Sequence, residues 1–294
     1  MTAKRRKELL GKAGIYVSLS AITLLLIFPF VWMISTSLKD KNEMFSATPT
    51  LFPKQITLEN YRSMWFDYGF GTYLRNSLTV AVSTTLITLL VATFLAYGIS
   101  RFRFRGKKVV FNLLILTQMF PLPLLIITIY VVFAQLGLTD SLIGLVLSYC
   151  TFAVPFATMM LKSYFDGLPL ELEEAAAMDG CGPFATIFRV VLPLSAPSVA
   201  AMGLFSFILA WQEFMMSLTL IRSPALRTLP VGITLMVGFR DIMWGPLMAG
   251  TVVVTLPVVA MFIYFQKYLI TGMTMGGKRL IRTCRHIKKG DADL

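Results

Sequence analysis

The chain has 294 residues, of which 56% are hydrophobic and only 14% charged, and its mean hydropathy is +0.73. A soluble domain of this length would carry about a quarter charged residues, so a water-soluble globular class is excluded. The net charge of +12 at neutral pH raises nucleic-acid binding, but the basic residues flank apolar runs, as in a membrane protein.

The chain opens with a basic leader over residues 1–12, holding Lys4, Arg5, Arg6, Lys7 and Lys12. Charge-free runs follow at 13–38, 76–100, 109–139, 141–161, 190–212 and 242–266. Each exceeds the roughly 18 residues that mark a membrane-spanning helix. The spacing predicts six spans at about 13–38, 74–100, 109–135, 141–164, 197–221 and 242–267. The first run is longer than a secretory apolar region and has no small-residue cleavage site, so it is read as a retained helix.

Between the first two spans, residues 39–73 form a polar loop whose aromatics Tyr61, Trp65, Phe66 and Tyr68 are expected as interfacial anchors. The second span ends in a basic turn at 101–108, with Arg and Phe alternating. Pro121 and Pro123 lie two residues apart in the third span and should break or bend it at mid-membrane. Such breaks line cavities as readily as they serve packing. A short turn at 137–141 leads to the fourth span, which is expected to bend near Pro155.

A polar stretch then stands out from its oily surroundings. Pro169 suits a first helical position, and Glu171, Glu173 and Glu174 place negative charge at the positive end of a helix dipole. Ala175, Ala176 and Ala177 have the highest helix propensity, and Gly180 can close the helix in a left-handed conformation. Pro183 opens a second short helix, whose Phe184, Ile187, Phe188 and Val191 share one face. Residues 169–191 therefore read as a pair of short amphipathic helices, separated from the fifth span by Pro193 and Pro197.

Glu213 sits in that fifth span, beside Trp211 and Gln212. A carboxylate in hydrocarbon costs about 2–4 kcal/mol by insertion scales, so it should face protein or water. Those three residues, with Pro121 and Pro123, are the candidate pathway residues. Residues 222–241 read as a loop, within which 228–239 is too short to span and reads as a loop or re-entrant segment. A sixth span containing Pro257 returns the chain to a basic tail.

With the N-terminus inside, 19 of the 27 basic residues fall on the cytoplasmic side, as the positive-inside rule requires. Both termini and residues 169–191 are then cytoplasmic. Cys150, Cys181 and Cys284 have no paired spacing, and His286 lies alone in the basic tail. Neither a disulfide framework nor a metal site follows. The sequence holds no phosphate-binding loop and no hydrolase or zinc motif, so no catalytic residue is assigned and the chain needs an external engine.

Glu174 to Gly180, followed after nine residues by Val190-Val-Leu-Pro193, resembles the EAA signature of membrane subunits of bacterial ATP-binding-cassette importers. Val190 replaces the usual isoleucine. Asn76-Ser-Leu78, Ala96-Tyr97 with Arg101, Trp211-Gln-Glu-Phe214, Leu229-Pro-Val-Gly232 and the Gly272–Lys278 segment are similar to maltose-type, MalG-like permeases.

The resemblance implies an all-α polytopic fold with six spans and a coupling helix pair between spans 4 and 5, in a permease domain over 13–271. It implies that Glu173, Glu174, Ala175, Ala176, Asp179, Gly180 and Pro193 serve coupling to a cytoplasmic ATPase dimer, and that Gly276, Gly277 and Lys278 reach the same partner. ATP and magnesium would reside on that partner, with no cofactor in this chain. A second homologous permease, an extracytoplasmic sugar-binding protein and membrane lipid complete the implied partners, without nucleic acid, in a bacterial cell membrane. The implied cargo is an oligosaccharide or disaccharide, or alternatively glycerol 3-phosphate or another polyol-type solute.

The chain departs from the family in its tail: residues 279–294 extend beyond the usual end of such chains and read as a disordered, solvated extension of the 272–294 segment. A stand-alone secondary carrier is the rival class, disfavoured by few intramembrane charges and no evident repeat. A non-transporting scaffold is the other.

Overall fold

The computed structural model describes residues 3–238 and 242–290, with side chains over 11–238 and 242–267. The described residues are helical apart from turns and one isolated bridge between Val237 and Ile242. The helices run in order: α1 (Ala3–Ser37), α2 (Lys41–Met44), α3 (Glu59–Phe66), α4 (Phe70–Arg101), α5 (Lys107–Met119), α6 (Leu122–Gln135) and α7 (Leu142–Asp166). They continue as α8 (Glu171–Met178), α9 (Pro183–Thr186), α10 (Leu192–Leu194), α11 (Ala196–Gln212), α12 (Met215–Leu220), α13 (Leu229–Thr234) and α14 (Trp244–Gly290).

Among the described residues, four stretches are long and apolar enough to cross a membrane as continuous helices: Gly11–Ser37, Phe70–Arg101, Leu142–Asp166 and Trp244–Lys267. Two bent pairs raise the count to six when each is taken as one span. One of them, α5 with α6, turns through 108°, so the third span is broken where its two prolines led one to expect. At about 1.5 Å per residue, their 13 and 14 residues are each too short for a hydrocarbon core of about 30 Å. Pro121 is the cause: Phe120 before it is extended, with ψ 124°, as the residue preceding a proline prefers. The expected fifth span is also divided, into α11 and α12, at Glu213.

The chain forms two compact units, 1–71 with 232–256 and 72–231 with 257–294. In the first unit, the 39–73 segment is fastened by its own polar groups. The Asn60 amide donates to the Ser37 and Lys39 carbonyls at 2.9 and 2.8 Å. Glu43 accepts from the Thr50 hydroxyl at 2.7 Å and from the Lys54 amide. Tyr61, expected as an interfacial anchor, instead bonds the Ser37 hydroxyl at 2.8 Å, and the Trp65 ring lies beside Phe70. Phe66 remains exposed.

In the second unit α7 is the most buried span, and it packs against α5, α11 and α12. Pro155 lies inside it without ending it. Gly144 is required near its start, because a Cβ there would sit 2.0 Å from the Leu138 carbonyl oxygen. Hydroxyl and alanine positions of α4, Ala81, Thr84, Thr88, Ala92 and Ala96, recur at helical spacing and are all buried. Small residues let helix backbones approach closely where no hydrophobic force separates protein from lipid. The region expected as a loop from 222 is held to α4: Asn76 donates to the Ala225 and Arg227 carbonyls at 2.8 and 3.0 Å, and Leu229 donates to Ser77 Oγ at 2.7 Å.

The helix expected over 183–191 is only α9, followed by a wider π turn at Ile187–Val191. Pro193 explains the widening, since it has no N–H to bond the carbonyl four residues back. At the other end, α14 continues as helix to Gly290, where the sequence leads one to expect disorder; the added Leu, Ile, Arg and Lys residues are adequate helix formers.

Candidate functional site: a helix–glycine–helix knob

The knob begins where α7 stops. The Gly167–Leu170 link turns the chain into α8, and three glutamates occupy its first turn. The helix ends at Asp179, and Gly180 follows with φ 82°. Gly180 donates to the Ala177 carbonyl at 3.0 Å and Cys181 donates to the Ala176 carbonyl at 2.9 Å, which satisfies the helix end. The chain can therefore double back directly into α9.

The inner face is apolar. Ile187 and Val191 join Ala92, Ala96 and Tyr97 of α4 and Ala157, Leu161 and Phe165 of α7 in one buried cluster. Phe184 and Phe188 meet the Phe94 ring edge-on at 5.9 and 6.1 Å. The face read from the sequence is thus the face that packs, although both phenylalanines keep much exposed surface.

The coupling candidates divide by direction. Ala176 is buried, while Glu174, Ala175, Asp179 and Gly180 are exposed, as is Pro193 in α10. Met178 at the tip is 88% exposed. Glu173 turns the other way. Its Oε1 accepts from Arg101 Nε at 2.6 Å and its Oε2 from the Tyr97 hydroxyl at 2.9 Å. The two side chains of the ion pair are only 10% and 12% exposed. Arg101 also donates to Ser100 Oγ at 3.2 Å, Ser100 donates to Asp166 Oδ1 at 2.6 Å, and Lys162 pairs with Asp166. Gly276, Gly277 and Lys278 lie in the part of α14 whose side chains fall outside the described residues.

A second polar feature lies at the break between α11 and α12. Glu213 is half-buried, and its carboxylate accepts from the Met216 and Ser217 amides at 2.8 and 3.2 Å. The hydroxyl of buried Tyr149 donates to it at 2.9 Å. The carboxylate therefore caps α12 and satisfies the amides freed by the break. Beside it Trp211 is buried and stacked on Phe207, whereas Gln212 is exposed. Pro121 and Pro123 stand at the α5–α6 break. The first unit holds a cavity of about 410 Å³ lined by Lys39, Asn60, Tyr68 and Trp244 among others.

Ser100, Lys162, Asp166 and Tyr149 escape a reading of the sequence as site residues. Tyr97 and Arg101 enter it only as positions of family resemblance and, for Arg101, as a basic flank, with no site role. The available signal was spacing. Tyr97 and Arg101 stand four apart on the last turn of α4 and share a face. Glu173 and Glu174 stand about 100° apart around a helix, which lets their side chains diverge without saying which one turns inward.

These features define a polytopic helical membrane protein carrying an exposed helix–glycine–helix knob. Residues 88–275 match the binding-protein-dependent transport system inner membrane component family, and the chain belongs to that family. It is 36% identical over 267 residues to the sulfoquinovosyl glycerol transport system permease protein SmoH of Agrobacterium fabrum, covering 91% of this chain and 94% of that protein. It is 34% identical to the inner membrane ABC transporter permease protein YcjP of Escherichia coli, over 92% of this chain and 98% of the relative. It is 35% identical to the trehalose/maltose transport system permease protein MalG of Thermococcus litoralis, with the same coverage of 92% and 98%. A chain of a bacterial ABC transporter involved in import of the acidic polysaccharide alginate shares the fold, with a TM-score of 0.80 over 92% of this chain and 99% of that one at 22% identity.

Proposed function

We propose that the chain is the membrane permease subunit of an ATP-binding-cassette importer for a sugar, driven by a separate cytoplasmic ATPase that seats the α8 knob. The observation that carries the reading is the exposed tip around Met178 and Gly180, on an element whose inner face is packed against α4 and α7. Met178 stands there beside exposed Glu174 and Asp179, a mixed apolar and charged tip that another protein can seat. The names of two of the relatives above supply the cargo class: sulfoquinovosyl glycerol, trehalose and maltose all contain glycosyl units.

In this reading both termini and the knob are cytoplasmic, which the clustering of basic residues supports. ATP and magnesium act on the partner. Closing of the ATPase dimer displaces α8, and that displacement reaches α4 and α7, on which the inner face of the knob is packed. Sugar delivered by an extracytoplasmic binding protein passes between this chain and a second, homologous permease. At the α11–α12 break, Glu213 is occupied by its cap and by Tyr149. Exposed Gln212 therefore has the freer surface to meet a polyhydroxyl cargo.

Substitution at Gly180 tests this function. A Cβ there meets open space, so only the left-handed backbone resists it, at about 1–2 kcal/mol for most residues and less for Asn. In the assembled transporter, Gly180→Leu is expected to abolish ATP-driven uptake of labelled disaccharides while Gly180→Asn retains much of it. Full uptake by Gly180→Leu would contradict the function.

A further inference from the structure

We propose that Glu173 and Arg101 form a positioning clamp that makes α8 move as one body with the ends of α4 and α7, and that Glu173 takes no part in docking the ATPase. The inference rests on the function just proposed and goes one step further, assigning how the push is transmitted.

Four observations carry it. Both carboxylate oxygens of Glu173 are engaged, by Arg101 and by Tyr97, 72 and 76 residues away in sequence. The pair is largely shielded from water, so it is screened less than a surface pair. Its neighbour Glu174 points outward instead. Finally, Arg101 leads through Ser100 to Asp166 at the end of α7 and on to Lys162, so one polar chain ties three helices together.

Mechanics supplies the reason for such a clamp. The only covalent connection from α7 to α8 is the short Gly167–Leu170 link, and a linker absorbs displacement by bending. The apolar contacts beneath the knob are non-directional and can slide. A charge-assisted pair has a fixed direction and length. It couples a displacement of α8 to α4 and α7 without slip. An eight-residue helix is also marginal by itself, so its orientation must come from tertiary contacts such as this one.

The test uses the complete transporter in proteoliposomes, with Glu173→Gln, Arg101→Gln, the double variant and Glu174→Gln. Co-purification of the ATPase reports docking, and sugar taken up per ATP hydrolysed reports transmission. Glu173→Gln, which keeps the side chain's shape, should retain the ATPase yet lose about tenfold in uptake per ATP, within the ~5–150-fold span of typical coupling energies. Arg101→Gln should lose as much, and the double variant no more than either single one. Glu174→Gln should instead weaken retention of the ATPase. Loss of the ATPase from Glu173→Gln, effects that multiply in the double variant, or an unchanged ratio would overturn the clamp.

Hydrogen exchange in the purified chain separates this from the functional reading. Amides of 171–178 should exchange faster in Glu173→Gln, with Tyr97→Phe falling between it and the wild type, and unchanged exchange would overturn the clamp whatever the transporter does. If the wild-type assembly shows no ATP-driven uptake, the proposed function fails while the exchange result still decides the clamp.

Discussion

Glu213 shows how a single carboxylate is tolerated deep in an apolar chain. It replaces the backbone partners that the α11–α12 break removes, and Tyr149 supplies a further donor. Loss of such a cap costs roughly 1–2 kcal/mol. Glu213→Ala should therefore lower the thermal midpoint of the detergent-solubilised protein, with Glu213→Gln falling between it and the wild type. Asp140 does comparable work in a turn. Its left-handed backbone (φ 54°) aims the carboxylate at the Ser223 hydroxyl and at the Arg222 and Ser223 amides. The Ser223 hydroxyl, then the two amides, hold this carboxyl below its usual value of 3.8. A lowered folded value means the turn's stabilisation is complete above that usual value and is lost as pH falls through the lowered one. Relative to their intrinsic chemical rates, exchange of the Arg222 and Ser223 amides should thus accelerate only below about pH 4, the ordinary aspartate range. In Asp140→Asn this acid-dependent acceleration should vanish.

Among elements, the long apolar runs were legible because burial in lipid leaves a signal that needs no tertiary information. The helices α1, α4, α7 and α14 all lie where charge-free runs predicted them. The prolines at 121 and 123 correctly announced a break, but its 108° angle depends on neighbours the sequence does not display. Glu173 and Glu174 could not be assigned opposite directions without the position of Arg101. The π turn and the folded 39–73 segment were hidden for a similar reason, since each is fixed by hydrogen bonds between residues distant in the sequence or by local geometry. If Pro121 and Pro123 enforce the break, Pro121→Ala with Pro123→Ala should lengthen the distance between spin labels at Leu113 and Ile127. A straight helix would approach about 21 Å along its axis, and an unchanged distance would place the cause in packing instead.

At the scale of the molecule, the chain leaves large apolar surfaces open, above all on α1, where the most apolar stretch buries none of its residues. Lipid covers such surfaces at no cost, so the membrane carries the burden that a core carries in a soluble protein. What remains to be specified by the chain itself is polar and sparse: the Glu173–Arg101 pair, the Glu213 cap and the exposed knob. The family fixes the class of the protein, and the knob carries the account of its mechanism. That account is tested most directly by cross-linking from residue 178. In a chain with Cys181→Ser and Cys284→Ser, Met178→Cys should cross-link to the ATPase subunit in the assembled transporter and be protected there from a membrane-impermeant thiol reagent. Labelling of Met178→Cys by that reagent from outside intact cells, or no cross-link to the ATPase in an assembly that transports, would contradict the central claim.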